Sequence, residues 1–444
     1  MSHERTIKVE ALTRVEGEGG LYVRLNGERI EDVKLSIYEP PRFFEAFLKG
    51  RRLEEVPDIT ARICGICPVA YQMSSVHALE MALDVTISPE IRRLRRLLYC
   101  GEWIESHALH MHLLHAPDFV GVDSGIELAE HFPDEVNRGL RLKKHGNELL
   151  EALGGRAIHP INVAVGGFYR APKKDDLLKL LPDFEWGIEA AIETTRWFGT
   201  LNFPDFTRPY DMVALQHPDE YAMNEGDVAS TSGLVVPVTE YEQHYDEFHV
   251  EHSTALHSGR ITGDGSNGHA SYHVGPLARV NLNLERLKPN ARRLADEVGI
   301  DWPCWNPFQS IVARGVELVH AYEEAIEIIR DYQPFSPSKI QCSHKAGSGC
   351  AATEAPRGLI YHRYEVDDEG LVTFAKIVPP TSQNQQQIED DLRDWLPRFM
   401  DEDDEETARS CERLVRCYDP CISCSTHFLK LTVDRQDAGS QLAE

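Results

Sequence analysis

Residues 62–68 read RICGICP and residues 419–424 read DPCISC, so a Cys-x-x-Cys pair lies near each end of the 444-residue chain. Two thiolates three residues apart can bind one metal ion from a single turn, and four thiolates form a tetrahedral site for a soft or borderline ion. The candidate ligands of one metal centre are therefore Cys64, Cys67, Cys421 and Cys424.

The spacing of these cysteines leaves the kind of metal site open. A structural zinc site is one interpretation, although its two ligand pairs usually lie about 15 to 20 residues apart, because such a site stabilises a small module. A redox-active metal fits the spacing equally well. A thioredoxin-like dithiol is disfavoured, since neither pair follows a strand in a βαβ unit.

Length and charge narrow the class of protein. With 42% hydrophobic residues, the chain is long enough to form one large core or two smaller ones. Its 72 acidic and 46 basic residues give a net charge of −26, which argues against nucleic acids and anionic membranes as partners. We therefore expect no nucleic-acid ligand.

The sequence also predicts the cellular compartment. No apolar run approaches the ~18 to 20 residues of a transmembrane helix, and the start MSHERTIKVE lacks the apolar segment of a signal peptide. We expect a cytoplasmic protein with no transmembrane segment. In that reducing compartment, ten cysteines predict metal binding rather than a disulfide framework. Six lie outside the two pairs and are expected to be mostly buried thiols: Cys100, Cys304, Cys342, Cys350, Cys411 and Cys417.

The apolar periodicity predicts an α+β fold that is predominantly helical. Residues 1–40 alternate apolar and polar side chains around Gly and Asn-Gly turns, which indicates an antiparallel meander. The region 203–283 is rich in Gly, Ser, Thr and β-branched residues and is expected to form loops and short strands. We predict a single domain over residues 1–427, in which a central helix bundle carries small peripheral β-sheets.

Helical spacing is clearest after Ser88, an N-cap that is followed by Pro89 at the first helical position. A long helix is predicted there, over residues 88–119. Further helices are predicted at residues 68–83, 134–153, 175–197, 310–332, 385–399 and 405–419.

Six other stretches accompany the two cysteine motifs in a characteristic order. They read RVEGEGG (14–20), FFEAFLKGR (43–51), GGRAIHPINVAVGGF (154–168), YHVGPLARVN (272–281), EAPRGLIYHR (354–363) and VPPTSQNQ (378–385). Together with RICGIC and DPCISC, they make residues 8–427 resemble the large, catalytic subunit of a nickel-iron hydrogenase. The pattern is most similar to the soluble branch that links hydrogen to NAD(P) or a deazaflavin.

The resemblance implies a nickel-iron centre at which H2 is split reversibly and heterolytically, with carbon monoxide and two cyanide ligands on the iron. Cys64 and Cys421 resemble the terminal nickel ligands. Cys67 and Cys424 resemble the thiolates that bridge nickel and iron. Soft thiolate ligands suit both metals.

The resemblance also implies a proton route and a partner for the metal ligands. Cys421 is the implied base for the proton released from H2, and Glu16 of RVEGE is the carboxylate that passes it outward. Arg357 resembles an arginine that lies over the metals and stabilises cyanide, with Pro356 fixing its backbone and Asp419 pairing with it. Without the resemblance, Glu16 would be a surface strand carboxylate and Arg357 a loop arginine in an ion pair.

Two positions depart from the family's pattern. Ser106 stands where some relatives carry an aspartate, which removes one negative charge near the metals. Tyr71 stands where many relatives carry a histidine near Cys67, and its phenol is a candidate replacement for that hydrogen bond. The histidines of residues 107–115 are expected to form hydrogen bonds within the protein, and none is assigned as a metal ligand.

A separate site for a hard metal ion is implied by Glu45 and His427. They resemble ligands of magnesium, together with a main-chain carbonyl near Ile377 or Val378 and waters. Such an ion would hold the C-terminal segment against the N-terminal half. Judged from the residues alone, Glu45 would be a surface carboxylate and His427 a loop histidine.

The last residues, 428–444, resemble the C-terminal extension that a maturation endopeptidase removes once nickel is in place. We therefore expect the active chain to end at His427. The alternative is a retained tail in which FLKLTV adds a strand.

The chain has no third cysteine set for an iron-sulfur cluster, so electrons must leave through a partner. The resemblance implies a hydrogenase small subunit that carries iron-sulfur clusters, and further subunits that bind flavin and NAD(P). The electron acceptor stays open among NAD, NADP, a deazaflavin and sulfur, with NAD(P) ranked first. Two other interpretations stay open: the related quinone-site subunit of NADH dehydrogenase, which lacks the four metal cysteines, and a structural zinc scaffold. Nickel and iron would support the hydrogenase, whereas zinc alone would exclude it.

Overall fold

The N-terminal part of the chain forms a small antiparallel sheet. A computed structural model describes residues 4–26, 29–40, 42–263 and 268–426. The first strands are β1 (Glu4–Val9), β2 (Gly19–Asn26) and β3 (Arg29–Ile37), which pair in that order. Val23 lies opposite Ile7 on one side and Val33 on the other, and all three are buried. One face of this sheet therefore joins the core.

Helices account for most of the remaining regular structure. They are α1 (Phe44–Leu48), α2 (Val56–Thr60), α3 (Pro68–Ala82), α4 (Pro89–Leu109), α5 (Pro117–Val120), α6 (Gly125–His131), α7 (Pro133–Gly154), α8 (Lys174–Leu178), α9 (Leu181–Gly199), α10 (Tyr241–His244), α11 (Pro276–Asn283), α12 (Pro289–Glu297), α13 (Ser310–Asp331), α14 (Pro380–Trp395), α15 (Asp404–Cys417) and α16 (Ile422–Ser425). Helix α4 packs against α7 and α13, and α13 packs against α9, which forms the central bundle.

The remaining strands form small sheets that pack beside these helices. They are β4 (Val163–Ala164), β5 (Gly167–Phe168), β6 (Met212–Gln216), β7 (Asp227–Ser230), β8 (Val235–Val236), β9 (Tyr245–Phe248), β10 (His257–Ile261), β11 (His269–Ala270), β12 (His273–Val274), β13 (Gly347–Ala355), β14 (Gly358–Val366) and β15 (Val372–Val378). They make four more small sheets in the described residues. The prediction of a predominantly helical α+β fold with small sheets is confirmed.

Most helix boundaries follow the local sequence signals, and three predicted helices differ from the observed ones. The helix predicted at 385–399 begins at Pro380 instead and ends at Trp395. Ser88 Oγ accepts the N–H of Ile91 over 3.3 Å, so α4 begins at its predicted cap. The helix predicted to reach residue 119 instead changes to a π-helical turn at His110–His115. The helix predicted at 175–197 is divided into α8 and α9, because Pro182 lies in the first turn of α9 and cannot donate a main-chain hydrogen bond to a continuing helix.

Three groups of buried apolar side chains form the interior. The largest includes residues of α3, α4, α7, α9 and α13 and also the four cysteines of the two motifs. A second lies between the N-terminal sheet and helices α14 and α15, and a third lies beneath β6, β7 and the β13–β14 hairpin. In the described part of the chain, no helix combines the length and apolarity needed to cross a membrane.

Candidate metal centre

The four cysteines of the two motifs meet at one point in the interior. Each is 4% exposed or less, and their sulfur atoms all lie within 4.8 Å of one another. Cys64 Sγ is 3.6 Å from Cys421 Sγ, and Cys67 Sγ is 3.9 Å from Cys424 Sγ. The structure thus brings residues from opposite ends of the chain to one buried four-thiol site.

The first cysteine pair flanks the turn that leads into α3. Cys67 is the N-cap of that helix and precedes Pro68. The main-chain N–H groups of Ile66 and Cys67 donate to Cys64 Sγ over 3.3 and 3.1 Å. These two donors favour the thiolate form of Cys64.

The second cysteine pair is held in place by the RVEGE segment. The N–H of Ile422 donates to the main-chain oxygen of Glu16 over 2.9 Å, and the N–H of Ser423 donates to its carboxylate over 3.1 Å. The thiol of Cys421 donates to the same carboxylate oxygen over 3.0 Å. Gly17 has a φ of +88°, and a Cβ there would lie 2.9 Å from Ile422 Cβ. Glycine therefore permits the approach that brings Glu16 to the thiols.

Thr381, in the first turn of α14, fixes the backbone of the second pair. Its Oγ1 accepts the N–H of Cys421 over 3.0 Å, and both residues are buried. Sequence reasoning did not single out Thr381. The available signal was its place in the VPPTSQNQ motif, because a hydroxyl that follows two prolines can bond a neighbouring segment.

Arg357 lies in the two-residue turn between β13 and β14, immediately after Pro356. Its Nε donates to the main-chain oxygen of Asp419 over 2.8 Å, and its Nη2 donates to the Asp419 carboxylate over 3.1 Å. Arg357 is 2% exposed, and its Nη1 has no hydrogen-bond partner among the described residues. An anionic or dipolar ligand beside the thiols would satisfy this buried donor.

The charges at the site favour a bound cation. Burial raises the pKa of the Cys421 thiol well above its usual value. Burial also acts to raise the pKa of Cys64, but hydrogen bonds from the other three thiols outweigh it and lower that pKa well below its usual value. The thiols by themselves therefore favour one thiolate among protonated neighbours. Metal cations bound by all four sulfurs would offset the repulsion between thiolates, so the donor set fits a soft metal centre.

Two further cationic or titratable groups stand near Asp419. Arg314 Nη2, from α13, is 3.9 Å from its carboxylate, and His110 Nε2 is 3.8 Å from it. Burial lowers the pKa of Arg314 to about 10 and raises the pKa of Asp419. Sequence reasoning missed Arg314, because a single arginine within the helical stretch SIVARGVEL carries no motif.

The two departures from the family pattern are both buried. Ser106 lies on α4, and its Oγ has no hydrogen-bond partner within the described chain. The Tyr71 ring on α3 lies 5.8 Å from the ring of His362, centroid to centroid. The hydrogen bond expected from the Tyr71 phenol to the region of Cys67 stays a prediction.

Three of the four histidines in residues 107–115 form hydrogen bonds within the protein, as predicted, whereas neither ring nitrogen of His115 has a partner among the described residues. His107 Nε2 bonds the carboxylate of Glu317 at 2.9 Å, and His110 Nε2 bonds the main-chain oxygen of Arg416 at 3.0 Å. His112 Nδ1 bonds the main-chain oxygen of Ala108 at 3.0 Å. The other six cysteines are free thiols, and all except the partly exposed Cys342 are buried.

Glu45 lies on α1, away from the thiols. Its carboxylate accepts the N–H of Ile377 over 2.7 Å, and burial raises its pKa to about 7 despite that hydrogen bond. It lines a cavity of about 530 Å³ together with Glu247. The N–H of Arg42 donates to the main-chain oxygen of Thr426 over 2.7 Å, which brings the end of the described chain close to α1. His427 and the predicted extension 428–444 lie outside the described residues.

The glycine-rich segment 154–168 carries exposed apolar side chains. Ile158 is 58% exposed and Ile161 is 50% exposed, and nearby Tyr169 is 57% exposed. Asn162 fixes this segment, since its side-chain amide donates to the main-chain oxygens of Leu153 and Arg170. Ile161 and Tyr169 line the same surface cavity, and exposed apolar side chains that share a surface are typical of a protein contact.

Comparisons with known proteins agree with this architecture. The sequence model of the nickel-dependent hydrogenase family matches residues 42–138 and 266–427. Sulfhydrogenase 1 subunit alpha from Pyrococcus furiosus is 34% identical, over 96% of this chain and 98% of its own. The beta subunit of the NAD-reducing hydrogenase HoxS from Cupriavidus necator is 26% identical, over 99% of both chains.

A solved structure extends the comparison to the fold. The crystal structure of an NAD+-reducing [NiFe]-hydrogenase in its H2-reduced state matches with a TM-score of 0.85 and 25% identity. The match covers 96% of this chain and 100% of the other. The resemblance seen in the sequence and the expected large-subunit fold are both confirmed.

Proposed function

Because this chain belongs to the nickel-dependent hydrogenase family and is the catalytic large subunit of such an enzyme, we propose that its four cysteines hold a nickel-iron centre that cleaves H2 reversibly and heterolytically. The observation that carries this proposal is the convergence of four buried thiols from opposite ends of the chain. When bound, the centre supplies the site where H2 is split into protons and electrons. A quinone-site subunit without metal cysteines and a zinc scaffold are both less consistent with this membership.

Each cysteine has its own role in the proposal. All four would hold the centre, Cys64 and Cys421 as its terminal thiolate ligands and Cys67 and Cys424 as the ligands shared by the two metals. The proposed iron ligands are carbon monoxide and two cyanides, and Nη1 of Arg357, which has no partner among the described residues, would be available to donate a hydrogen bond to them. Pro356 and Asp419 hold the guanidinium in that position.

Cys421 and Glu16 move the proton. The thiol of Cys421 already donates to Glu16 over 3.0 Å, so a proton on this sulfur has an acceptor within hydrogen-bond reach. Glu16 is partly exposed, and its carboxylate passes the proton away from the interior. The N–H of Ser423 holds the carboxylate in place during this transfer.

A magnesium ion at Glu45 and His427 is the second part of the proposal. Burial destabilises the ionised form of Glu45, and a divalent cation would stabilise it. Glu247 lines the same cavity. Burial raises the pKa of the Glu247 carboxyl well above its usual value, and the nearby Glu45 carboxylate raises it further. Both carboxylates are therefore compensated by one bound cation. We further propose that an endopeptidase removes residues 428–444 after nickel insertion.

Electrons leave through a small subunit with iron-sulfur clusters that covers the exposed face of Ile158, Ile161 and Tyr169. Among the described residues, the only group of three or more potential metal ligands that includes cysteine is the one already assigned. We propose NAD(P) as the final acceptor, reached through flavin-binding subunits in the cytoplasm. The support is likeness to the NAD-reducing hydrogenase and to the NAD+-reducing structure.

The test is to purify the native complex through an affinity tag and measure H2-dependent reduction of a viologen dye, NAD+, NADP+, a deazaflavin and polysulfide. We expect dye reduction with H2, and pyridine-nucleotide reduction that is faster than that of the other two acceptors. Dye reduction with polysulfide as the preferred acceptor would keep the hydrogenase and overturn the NAD(P) assignment. Absence of H2-dependent dye reduction in a nickel-replete complex would overturn the proposed reaction.

A further inference from the structure

A second group of metal-ligand side chains lies apart from the four cysteines. One donor atom from each of His252, His257 and Glu389 lies within 4.8 Å of the other two. His252 is in the connection between β9 and β10, His257 begins β10, and Glu389 is on α14. Three different segments of the chain therefore meet at this point.

One ring nitrogen of His257 is buried without a hydrogen-bond partner among the described residues. The residue is 2% exposed, and its Nε2 is buried with no hydrogen-bond partner in the described part of the chain. A neutral imidazole has one ring nitrogen with a lone pair that can bind a metal ion. A buried ring nitrogen without a partner is costly unless something absent from the protein binds to it.

No lysine or arginine of the described residues forms an ion pair with Glu389. Its side chain is 7% exposed, and among the described residues its one ion-pair partner is His252, whose Nε2 is 2.8 Å from Glu389 Oε1. The same oxygen accepts the N–H of Leu35 over 2.8 Å, which fixes the carboxylate against β3. The His252–Glu389 contact alone would explain two of the three groups, but it leaves the Nε2 of His257 unpaired.

We propose that His252, His257 and Glu389 form a zinc site. Two imidazoles and one carboxylate are a donor set that zinc accepts, whereas magnesium and calcium prefer oxygen ligands alone. His252 is 18% exposed at its side chain, so solvent reaches the group from that side and supplies a fourth ligand. Ligands of a tetrahedral zinc ion lie about 3.3 Å apart, so His252 and Glu389 separate by a few tenths of an ångström when the ion binds.

The proposed zinc ion would have a structural role. Gln385, one turn before Glu389 on α14, donates to the main-chain oxygen of Leu256, the neighbour of His257. Helix α14 also carries Thr381, which holds the main chain of Cys421. A zinc ion would therefore tie β10 and its preceding loop to the helix on which the catalytic segment rests. This inference does not depend on the reaction at the four cysteines.

The test measures zinc in the purified complex by mass spectrometry, before and after dialysis against a chelator, with Mg²⁺ in excess throughout. We expect one chelator-labile zinc per chain, restored when Zn²⁺ is added, while the nickel content stays constant. Co²⁺ added to the dialysed complex is expected to give visible absorption bands from a nitrogen- and oxygen-ligated ion. Absence of a chelator-labile zinc, together with no uptake of Zn²⁺ or Co²⁺, would overturn the proposal.

Glu389→Gln is the most informative variant. The amide oxygen of the glutamine can still accept the N–H of Leu35, but the anionic ligand is lost. We expect Zn²⁺ affinity to fall by at least about 100-fold. His252→Gln serves as a second variant at a more exposed position, with the same expectation. Phe248→Leu is the control, because the Phe248 ring lies 5.8 Å from the His257 ring and offers no ligand. Equal zinc in wild type and both ligand variants would contradict the site.

Discussion

The thiol of Cys421 and the carboxylate of Glu16 are joined by a 3.0 Å hydrogen bond, although they come from opposite ends of the sequence. The main chains of the same two residues also pair in an isolated parallel bridge. Main-chain pairing thus fixes how the side chains meet. A carboxylate is therefore held against the four-thiol group by the fold itself.

The first prediction concerns this contact. Glu16→Gln keeps an oxygen that can accept the N–H of Ser423 but removes the proton-accepting carboxylate. We expect the rates of isotope exchange between H2 and D2O and of H2 oxidation to fall by about 100-fold or more. A loss of this size is typical when a positioned acid or base is removed. Nickel content and thermal stability are expected to stay near those of wild type. The matched control is Glu18→Gln, which changes an exposed carboxylate two residues away. Full exchange activity in the Glu16 variant would exclude this proton route.

The second prediction concerns the hairpin arginine. Arg357→Lys keeps the positive charge but cannot make both contacts to Asp419 and also offer a free donor toward the metal ligands. We expect kcat for H2 oxidation to fall by about 100-fold and the infrared bands of bound cyanide to shift.

A control on the adjoining strand β14 separates the position of the arginine from its charge. Arg363→Lys alters a more exposed arginine that pairs with Glu242 and Glu365, and it should leave both kcat and the infrared spectrum unchanged. An Arg357 variant with the wild-type spectrum would show that the guanidinium does not contact the metal ligands.

The third prediction concerns stability. Thr381→Val removes the acceptor for the buried N–H of Cys421 with little change of volume. We expect the free energy of unfolding to fall by about 1–3 kcal/mol, because a buried donor is left unpaired. Denaturant unfolding of the purified chain measures this loss. Thr239→Val, at an exposed position, should change stability by less than about 0.5 kcal/mol. Similar stabilities for the two variants would exclude a structural role for Thr381.

The fourth prediction concerns acid sensitivity. Burial lowers the pKa of His112 from 6.5 to about 4, and no metal ligand is in contact with it among the described residues. Between pH 6.5 and 4 the unfolded chain binds a proton at this position that the folded chain does not, so stability falls as the pH is lowered through this range. One such histidine contributes about 3 kcal/mol across the range.

The acid dependence can be assigned to His112 by substitution. His112→Gln should make the free energy of unfolding fall less steeply with decreasing pH, by up to one bound proton in the slope. His249→Gln, at an exposed histidine, should leave the slope as it is in wild type. Parallel pH profiles for His112→Gln and wild type would contradict the buried, neutral state of His112.

The sequence predicted the fold class and most helix positions because these depend on local signals. The cap at Ser88 and the apolar spacing that follows it are examples. It did not predict the π-helical turn at His110–His115, where tertiary packing decides the backbone geometry. Nor did it predict the break between α8 and α9, although Pro182 was a visible signal.

The residues of the candidate site also fall into those that the sequence predicted and those that only the fold reveals. The cysteines, Glu16 and Arg357 were identified from motifs, while the contacts among them required the fold. Arg314 contacts Asp419 without lying in any motif, and Thr381 lies in a motif that does not reveal its contact with Cys421. His252, His257 and Glu389 have no regular spacing, so only the packing of α14 against β10 shows them as a group.

The central claim is that the four thiols bind nickel. Its most direct test is X-ray absorption at the nickel edge on the purified complex, with nickel counted per chain. We predict one nickel per chain with sulfur as its protein ligands, and loss of that nickel when Cys64 and Cys421 are both changed to serine. A chain that holds zinc in place of nickel, or nickel that stays bound in the double variant, would contradict the account.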